Sequence, residues 1–185
     1  MILIVNTTAD EKITKEIRQY AEAHFGENQG EKTEVKQAKT KPEPFEIIEA
    51  SNLKISNCIG CNYCWLKTPG ECAVKDDYEE ILKKLPHTDK LFVISDTALG
   101  FLNHKGKNIY DRIIPLITMN LHFKDKEMRH TKRYKQTTNL GLIYRGEADK
   151  DFMSRWIQRA AINIGGKSLG AFKETDMEEA LSCIF

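Results

Sequence analysis

Short apolar runs alternate along the chain with stretches in which apolar residues recur every three or four positions. Apolar runs of this length predict buried strands, and the three-to-four spacing predicts amphipathic helices. The predicted strands are residues 2–5, 45–49, 91–95, 138–144 and 168–172. The predicted helices are residues 11–24, 76–85, 107–121, 149–163 and 176–183, with Pro115 as a kink or restart in the third.

Three stretches show neither the apolar runs of strands nor the three-to-four spacing of helices. Residues 27–44 are almost wholly Glu, Lys, Gln and Thr with two prolines, a composition that buries little, so we expect a surface connection. Residues 51–72 carry four of the five cysteines and are typical of a functional loop. Residues 96–106 are predicted to form a further loop.

Strands that alternate with helices predict a parallel sheet, because each parallel strand needs a crossover connection. We therefore predict an α/β fold, a flavodoxin-like three-layer sandwich with a five-stranded parallel sheet, as a single domain spanning residues 1–185. In such sheets ligands bind beyond the carboxyl ends of the strands, where the strand order reverses. This rule selects three loops as candidate binding loops: residues 6–14, 95–105 and 144–147.

The charge balance and hydropathy exclude some classes of partner. With 28 basic and 27 acidic residues the net charge is +1, so we expect no nucleic-acid partner, and the basic run at 129–135 is interpreted as a solvated face or loop. No uncharged apolar stretch approaches the roughly 18 residues that a membrane span needs. The first residues lack the features of a secretory signal, so we expect a cytoplasmic protein.

The cysteine spacing suggests metal ligands or redox thiols. Cys58, Cys61 and Cys64 are each separated by two residues, and Cys72 follows after seven more. Four thiolates suit an iron-sulfur cluster or tetrahedral zinc, and the doubled two-residue spacing favours the cluster. Thiols without a metal, including a redox dithiol, are the alternative in a reducing compartment.

An ordered set of motifs resembles a known family. The motifs are CIGCNYCW at 58–65, PGEC at 69–72, KDDY at 75–78, a buried strand ending at Ser95 and KNIYDR at 107–112. In this order they resemble the NAD(P)H-dependent FMN reductase and iron-sulfur flavoprotein branch of the flavodoxin-like superfamily. Within KNIYDR we expect the Asp-Arg pair to fix a loop through hydrogen bonds rather than to perform chemistry.

The resemblance implies that FMN is held by the same three loops. The first would take the phosphate, the second would pass along the isoalloxazine ring and the third would close the other side. The implied FMN-binding residues are Asn6, Thr7, Thr8, Asp10, Lys12, Ile13 and Thr14, then Ser95, Asp96, Thr97, Ala98, Leu99, Gly100, Phe101 and Asn103, then Tyr144, Arg145 and Gly146.

The first two loops depart from the pattern usual in that family. Where the family usually has Gly-Ser-Pro-Arg, this chain has an acidic group, Asp10, close to the implied phosphate position. Where the family usually has Ser-Pro-Val-Tyr, this chain reads SDTA at 95–98.

The function that the resemblance implies is electron transfer through FMN. NAD(P)H would reduce the flavin, which would pass electrons to a small acceptor such as a quinone or another flavin, or to a redox protein. Because the flavin carries the chemistry, we name no catalytic side chain. The alternatives are an iron-sulfur flavoprotein electron carrier and a degenerate, non-catalytic relative. The apolar run at 113–123 exceeds what one helix face needs, and we expect core burial and a homodimer surface.

Overall fold

The computed structural model describes residues 1–25 and 44–185, so the connection predicted at 27–44 lies outside the described residues except for Pro44. The strands are β1 (Ile2–Asn6), β2 (Phe45–Glu49), β3 (Lys90–Ala98), β4 (Phe101–Leu102), β5 (Ile117–Lys124), β6 (Glu127–Lys132), β7 (Asn139–Arg145) and β8 (Ser168–Lys173). The helices are α1 (Lys12–Phe25), α2 (Tyr63–Leu66), α3 (Tyr78–Lys84), α4 (His104–Asp111), α5 (Lys150–Asn163) and α6 (Met177–Ile184).

Five of the strands form one parallel sheet in the order β2-β1-β3-β7-β8. Numbered along the chain, this is the order 2-1-3-4-5 of flavodoxin-like folds, in which the order reverses between the first and third strands. The predicted fold class and the five predicted parallel strands are confirmed.

The central strands contribute side chains to two separate hydrophobic cores, one on each face of the sheet. In β1, Leu3 and Val5 pack with α3, α4 and α5, whereas Ile2 and Ile4 pack with α1 and α6 on the opposite face. Successive side chains of a strand point to opposite faces, so a strand covered on both sides must be apolar at every position. This explains the uninterrupted apolar runs and confirms the three-layer arrangement.

The predicted helix at 107–121 is wrong over its second half. Helix α4 begins earlier, at His104, and ends at Asp111, and a short 3-10 turn follows at Ile114–Leu116. Strands β5 and β6 then pair antiparallel as a hairpin apart from the main sheet.

The hairpin has a sequence signal that the helical interpretation missed. Met119, Leu121 and Phe123 alternate with polar residues, which is the period of a strand. Asp125 and Lys126 both adopt positive φ, which is the backbone of a tight two-residue hairpin turn. Pro115 lies within the 3-10 turn after α4, and because it lacks an N–H it cannot continue the hydrogen bonding of an α-helix through this segment.

The predicted loop at 96–106 is also partly wrong. Strand β3 continues to Ala98, turns through Leu99 and Gly100 at positive φ, and returns as β4. Asn103 then caps α4, since its side-chain oxygen accepts a hydrogen bond from the Gly106 amide at 3.1 Å.

The described helices include none that is long and apolar enough to cross a bilayer.

Candidate functional site

The side chain of Arg145 joins the carboxyl ends of the sheet strands. Its Nη1 lies 2.9 Å from Asp10 Oδ2 in the loop after β1, and its Nε lies 3.5 Å from Asp96 Oδ1 in β3. The same Nε lies 3.4 Å from Oε2 of Glu174, which follows β8. The three predicted loops therefore converge at one place, and a fourth segment joins them.

One cation faces three carboxylates in this Arg145 cluster, which comprises Arg145, Asp10, Asp96 and Glu174. Arg145 Nε is buried, yet no acceptor in the described part of the chain has hydrogen-bonding geometry towards it. A buried donor without an acceptor costs free energy, so an incoming acceptor group would be stabilised there.

The amino-terminal end of α1 already holds an anion. The Lys12 amide N–H donates to Asp10 Oδ1 at 2.8 Å, so Asp10 is bound between this amide and Arg145. A helix amino terminus offers free N–H groups and a favourable dipole to negative charge. The Asp10 carboxylate thus occupies both an amide donor of this helix terminus and the Arg145 guanidinium.

The other polar side chains predicted in the first loop that lie buried make hydrogen bonds within the protein. Thr7 Oγ1 donates to Ile94 O at 2.8 Å, Thr8 Oγ1 donates to Asn6 Oδ1 at 2.8 Å, and Thr14 Oγ1 donates to Glu11 O at 3.0 Å. The amide of Asn6 donates to Glu49 Oε2 at 2.7 Å. These side chains fix the shape of the loop, and their contact with a phosphate stays a prediction. The side chain of Ile13 packs in the core, and its contact with FMN stays a prediction.

The second loop offers few free polar groups. Ser95 Oγ donates to Asp96 O at 2.8 Å and is fully buried. Phe101 packs edge-on against Trp156, with ring centroids 5.1 Å apart. Leu99 is fully exposed at the tip of the β3–β4 turn. Thr97, Ala98 and Gly100 complete the loop, which can supply backbone and apolar contacts to a planar ring.

In the third loop only Arg145 has a side chain that reaches the cluster. Tyr144 is buried in the core, with 1% of its surface exposed. Gly146 has φ +100°, and a Cβ there would lie 2.5 Å from Thr97 Oγ1. Glycine therefore allows the second and third loops to approach closely.

Arg112 anchors the cysteine loop, residues 51–76, to the carboxyl end of α4. Its fully buried guanidinium donates through Nη1 to Asp76 Oδ1 and Oδ2 at 2.8 and 2.6 Å, and through Nη2 to Val74 O at 3.0 Å. Asn108 Nδ2 donates to Ile55 O at 3.0 Å from the same helix. Arg112 therefore makes the loop-fixing contacts predicted for the Asp-Arg pair, whereas Asp111 pairs with Lys107 of the same helix.

Of the four cysteines in this loop, Cys58, Cys61 and Cys72 lie close enough to Cys64 to act on it electrostatically. All are free thiols and partly exposed. Burial and the nearby thiols of Cys72, Cys58 and Cys61 raise the pKa of Cys64. Among residues 1–25 and 44–185, however, no group of three or more His, Cys, Asp or Glu side chains is placed to hold a metal ion. The donor types suit a cluster but their arrangement does not, so ligation by Cys58, Cys61, Cys64 and Cys72 stays a prediction.

Two residues of the site were missed from the sequence. Glu174 directly follows the fifth parallel strand, so its position at the carboxyl edge of the sheet was available as a signal. Arg133 donates through Nη2 to Cys64 O at 3.2 Å and through Nε to Pro115 O at 3.0 Å. It lies in the basic run, and no sequence pattern distinguishes it there from its solvated neighbours.

No protein-family model matches the chain. The chain is 37% identical over 71 residues to an iron-sulfur flavoprotein of Methanocaldococcus jannaschii. The aligned region covers 38% of this chain and 36% of the relative. The chain thus matches about a third of the length of its curated relatives. The predicted resemblance to the iron-sulfur flavoprotein branch is confirmed.

Solved structures agree with the fold. RosB with bound 8-demethyl-8-formylriboflavin-5'-phosphate has a TM-score of 0.57 at 13% identity, covering 93% of this chain and 63% of that chain. An FMN-dependent NADH-azoreductase of Bacillus anthracis in complex with FMN has a TM-score of 0.50 at 8% identity, covering 99% of this chain and 94% of that chain. At such identities the likeness shows the flavodoxin-like fold.

The ion pair under the cysteine loop makes stability depend on pH. Burial would raise the pKa of Asp76, but hydrogen bonds from Arg112 and from the Ser56 and Tyr78 amides, with the Arg112 charge, hold it below its ordinary value of 3.8. A carboxyl group with a lowered pKa in the folded state stabilises the fold above its unfolded pKa, and that contribution is lost as the pH falls through the folded pKa.

Asp76→Asn should lower the free energy of unfolding at pH 7 by about 3–5 kcal/mol, because the buried Arg112 charge loses its counter-ion. The difference from wild type should begin to shrink below about pH 4, where the carboxyl of the unfolded chain becomes protonated, and should continue to shrink as the pH falls towards the lowered pKa of the folded state. Urea unfolding from pH 7 to pH 3 measures both quantities. Glu80→Gln removes an exposed pair with Lys83 and serves as a control with little effect. A difference that does not change with pH would contradict this account of Asp76.

Proposed function

We propose that the chain is an FMN-dependent NAD(P)H oxidoreductase that passes electrons to a small acceptor such as a quinone or a flavin. The observation that carries the proposal is the convergence of three strand ends on Arg145, beside an α1 amino terminus that already binds a carboxylate. Ligands of parallel α/β sheets bind at such a place. The FMN complex and the NADH-azoreductase name among the structural neighbours add support.

Within this proposal each group has a binding or positioning role. When bound, FMN supplies the redox chemistry, accepting hydride from the nicotinamide and releasing electrons to the acceptor. Arg145 and the Lys12 amide hold the phosphate. The 95–103 loop flanks the ring with Leu99 and Phe101 as its apolar contacts, and Gly146 keeps the opposite loop close. We further propose that the protein acts in the cytoplasm.

The iron-sulfur electron carrier is the weaker candidate. The name of the curated relative and the gathering of thiols around Cys64 favour it. Against it, the described residues form no group that could hold a metal. We therefore assign no electron-transfer step to the cysteines.

Purified protein titrated with FMN should quench flavin fluorescence, raise its melting temperature and gain the ability to oxidise NADH or NADPH. The melting temperature must rise because a ligand that binds only the folded state stabilises it. Arg145→Met should weaken FMN binding at least tenfold, since it removes the phosphate cation, whereas Arg155→Met on the exterior of α5 should not. Wild-type protein that neither binds FMN nor oxidises a nicotinamide would contradict the proposal.

We propose that the hairpin β5–β6 forms a homodimer surface. Leu121, Phe123 and Met128 are 52%, 73% and 58% exposed, and Phe123 and Met128 are cross-strand partners on the same face. A two-stranded hairpin is marginally stable alone and gains stability when its apolar face is covered. A second copy of the chain that presents the same face would cover the apolar faces of both hairpins at once.

Phe123→Asp should convert a dimer into a monomer, because it places an unpaired charge in the contact. Sedimentation velocity should give wild-type protein twice the mass of one chain and the variant the mass of one chain. Leu66→Asp changes an exposed apolar residue outside the hairpin and should leave the dimer intact. Monomeric wild-type protein at micromolar concentration would exclude this interface.

A further inference from the structure

Resting on the function proposed above, we infer that Asp10 is an internal competitor for the flavin phosphate and sets the preference of the site between phosphorylated and unphosphorylated flavins. The carboxylate occupies the position that a phosphate would need. Removing its charge should therefore favour FMN selectively over riboflavin.

The first support is the identity of the contacts. Asp10 Oδ1 accepts from the Lys12 amide at 2.8 Å, and Oδ2 pairs with Arg145 Nη1 at 2.9 Å. A helix amide and a guanidinium are the usual donors to a phosphate oxygen. Both donors are engaged by one residue of the chain, so a phosphate must replace Asp10 to use them.

The second support is the surrounding charge. Asp96 and Glu174 lie 3.5 and 3.4 Å from Arg145 Nε, so the guanidinium is already surrounded by negative groups. Adding a phosphate without moving Asp10 would place a further anion beside three carboxylates around one cation, and like charges this close repel strongly. If Asp10 moves away, one of the three carboxylates leaves the cluster and Arg145 Nη1 becomes available to the phosphate.

The third support is the freedom of Asp10 to move. Its side chain is about half exposed, and its backbone carbonyl, rather than its carboxylate, accepts the hydrogen bonds from Asn6 and Thr8. The carboxylate can therefore turn towards solvent while the loop keeps its shape. Displacement then costs the Lys12 and Arg145 contacts and leaves the loop intact.

Riboflavin lacks the phosphate and has no need to displace Asp10. The competition should therefore appear as an effect that depends on the ligand. Asp10→Asn should bind FMN at least tenfold more tightly than wild type and bind riboflavin within twofold of wild type. Asparagine is a good helix cap, so the variant keeps an acceptor for the Lys12 amide. Asp10→Ser, a second uncharged cap, should behave in the same way.

The test is fluorescence titration of wild type, Asp10→Asn, Asp10→Ser and Glu11→Gln with FMN and with riboflavin, with melting temperatures measured in parallel. Glu11→Gln removes the same charge one residue away, where Glu11 pairs with Lys15 and with no other cation of the described residues. It should change FMN affinity less than threefold, which separates direct competition from a general field effect.

Equal FMN affinity for wild type and both Asp10 variants overturns the inference while leaving the proposed function intact. A gain that is the same for riboflavin, or the same for Glu11→Gln, also overturns it. If no variant binds either flavin, the proposed function fails and the inference fails with it.

Discussion

The ion pairs of Arg145 determine the site, because without that guanidinium three carboxylates would face one another at the carboxyl edge of the sheet. Carboxylates in such proximity repel, and one cation between them turns the repulsion into a link between chain segments. The link connects the loop after β1, the end of β3 and the segment after β8. The candidate site is therefore both a structural junction and a place where an anion could be exchanged.

Two arginines organise different parts of the molecule in different ways. Arg112 is wholly buried and binds Asp76 together with backbone carbonyls of the cysteine loop, an arrangement that suits a permanent anchor. Arg145 is about a quarter exposed and pairs with side-chain carboxylates, while the Nε atoms of both arginines lack an acceptor in hydrogen-bonding geometry within the described residues. Because Arg145 lies nearer to solvent, it is the better placed of the two to exchange a partner for a ligand. This difference in exposure supports an anchoring role for Arg112 and the proposed ligand-binding role for the Arg145 cluster.

The sequence was sufficient to predict the sheet and the convergence of the three candidate loops. Strands covered on both faces must be apolar throughout, so runs such as residues 2–5 and 91–95 were unambiguous, and the topology then fixed which loops would meet. The interpretation of residues 107–121 as one helix fails because Met119, Leu121 and Phe123 alternate with polar residues, the period of a strand. Within the site, the direction of each polar side chain was not predictable. Whether Thr7 bonds to Ile94 O, or Asp10 turns back to α1, depends on which acceptors and donors the folded chain brings near.

The most direct test of the central claim is a crystal structure of the protein with FMN bound. The account predicts the phosphate within hydrogen-bonding distance of the Lys12 amide and the Arg145 guanidinium, with the Asp10 carboxylate turned away from both. FMN bound at another place, or a phosphate that makes no contact with Arg145 while Asp10 keeps its present pairs, would contradict it.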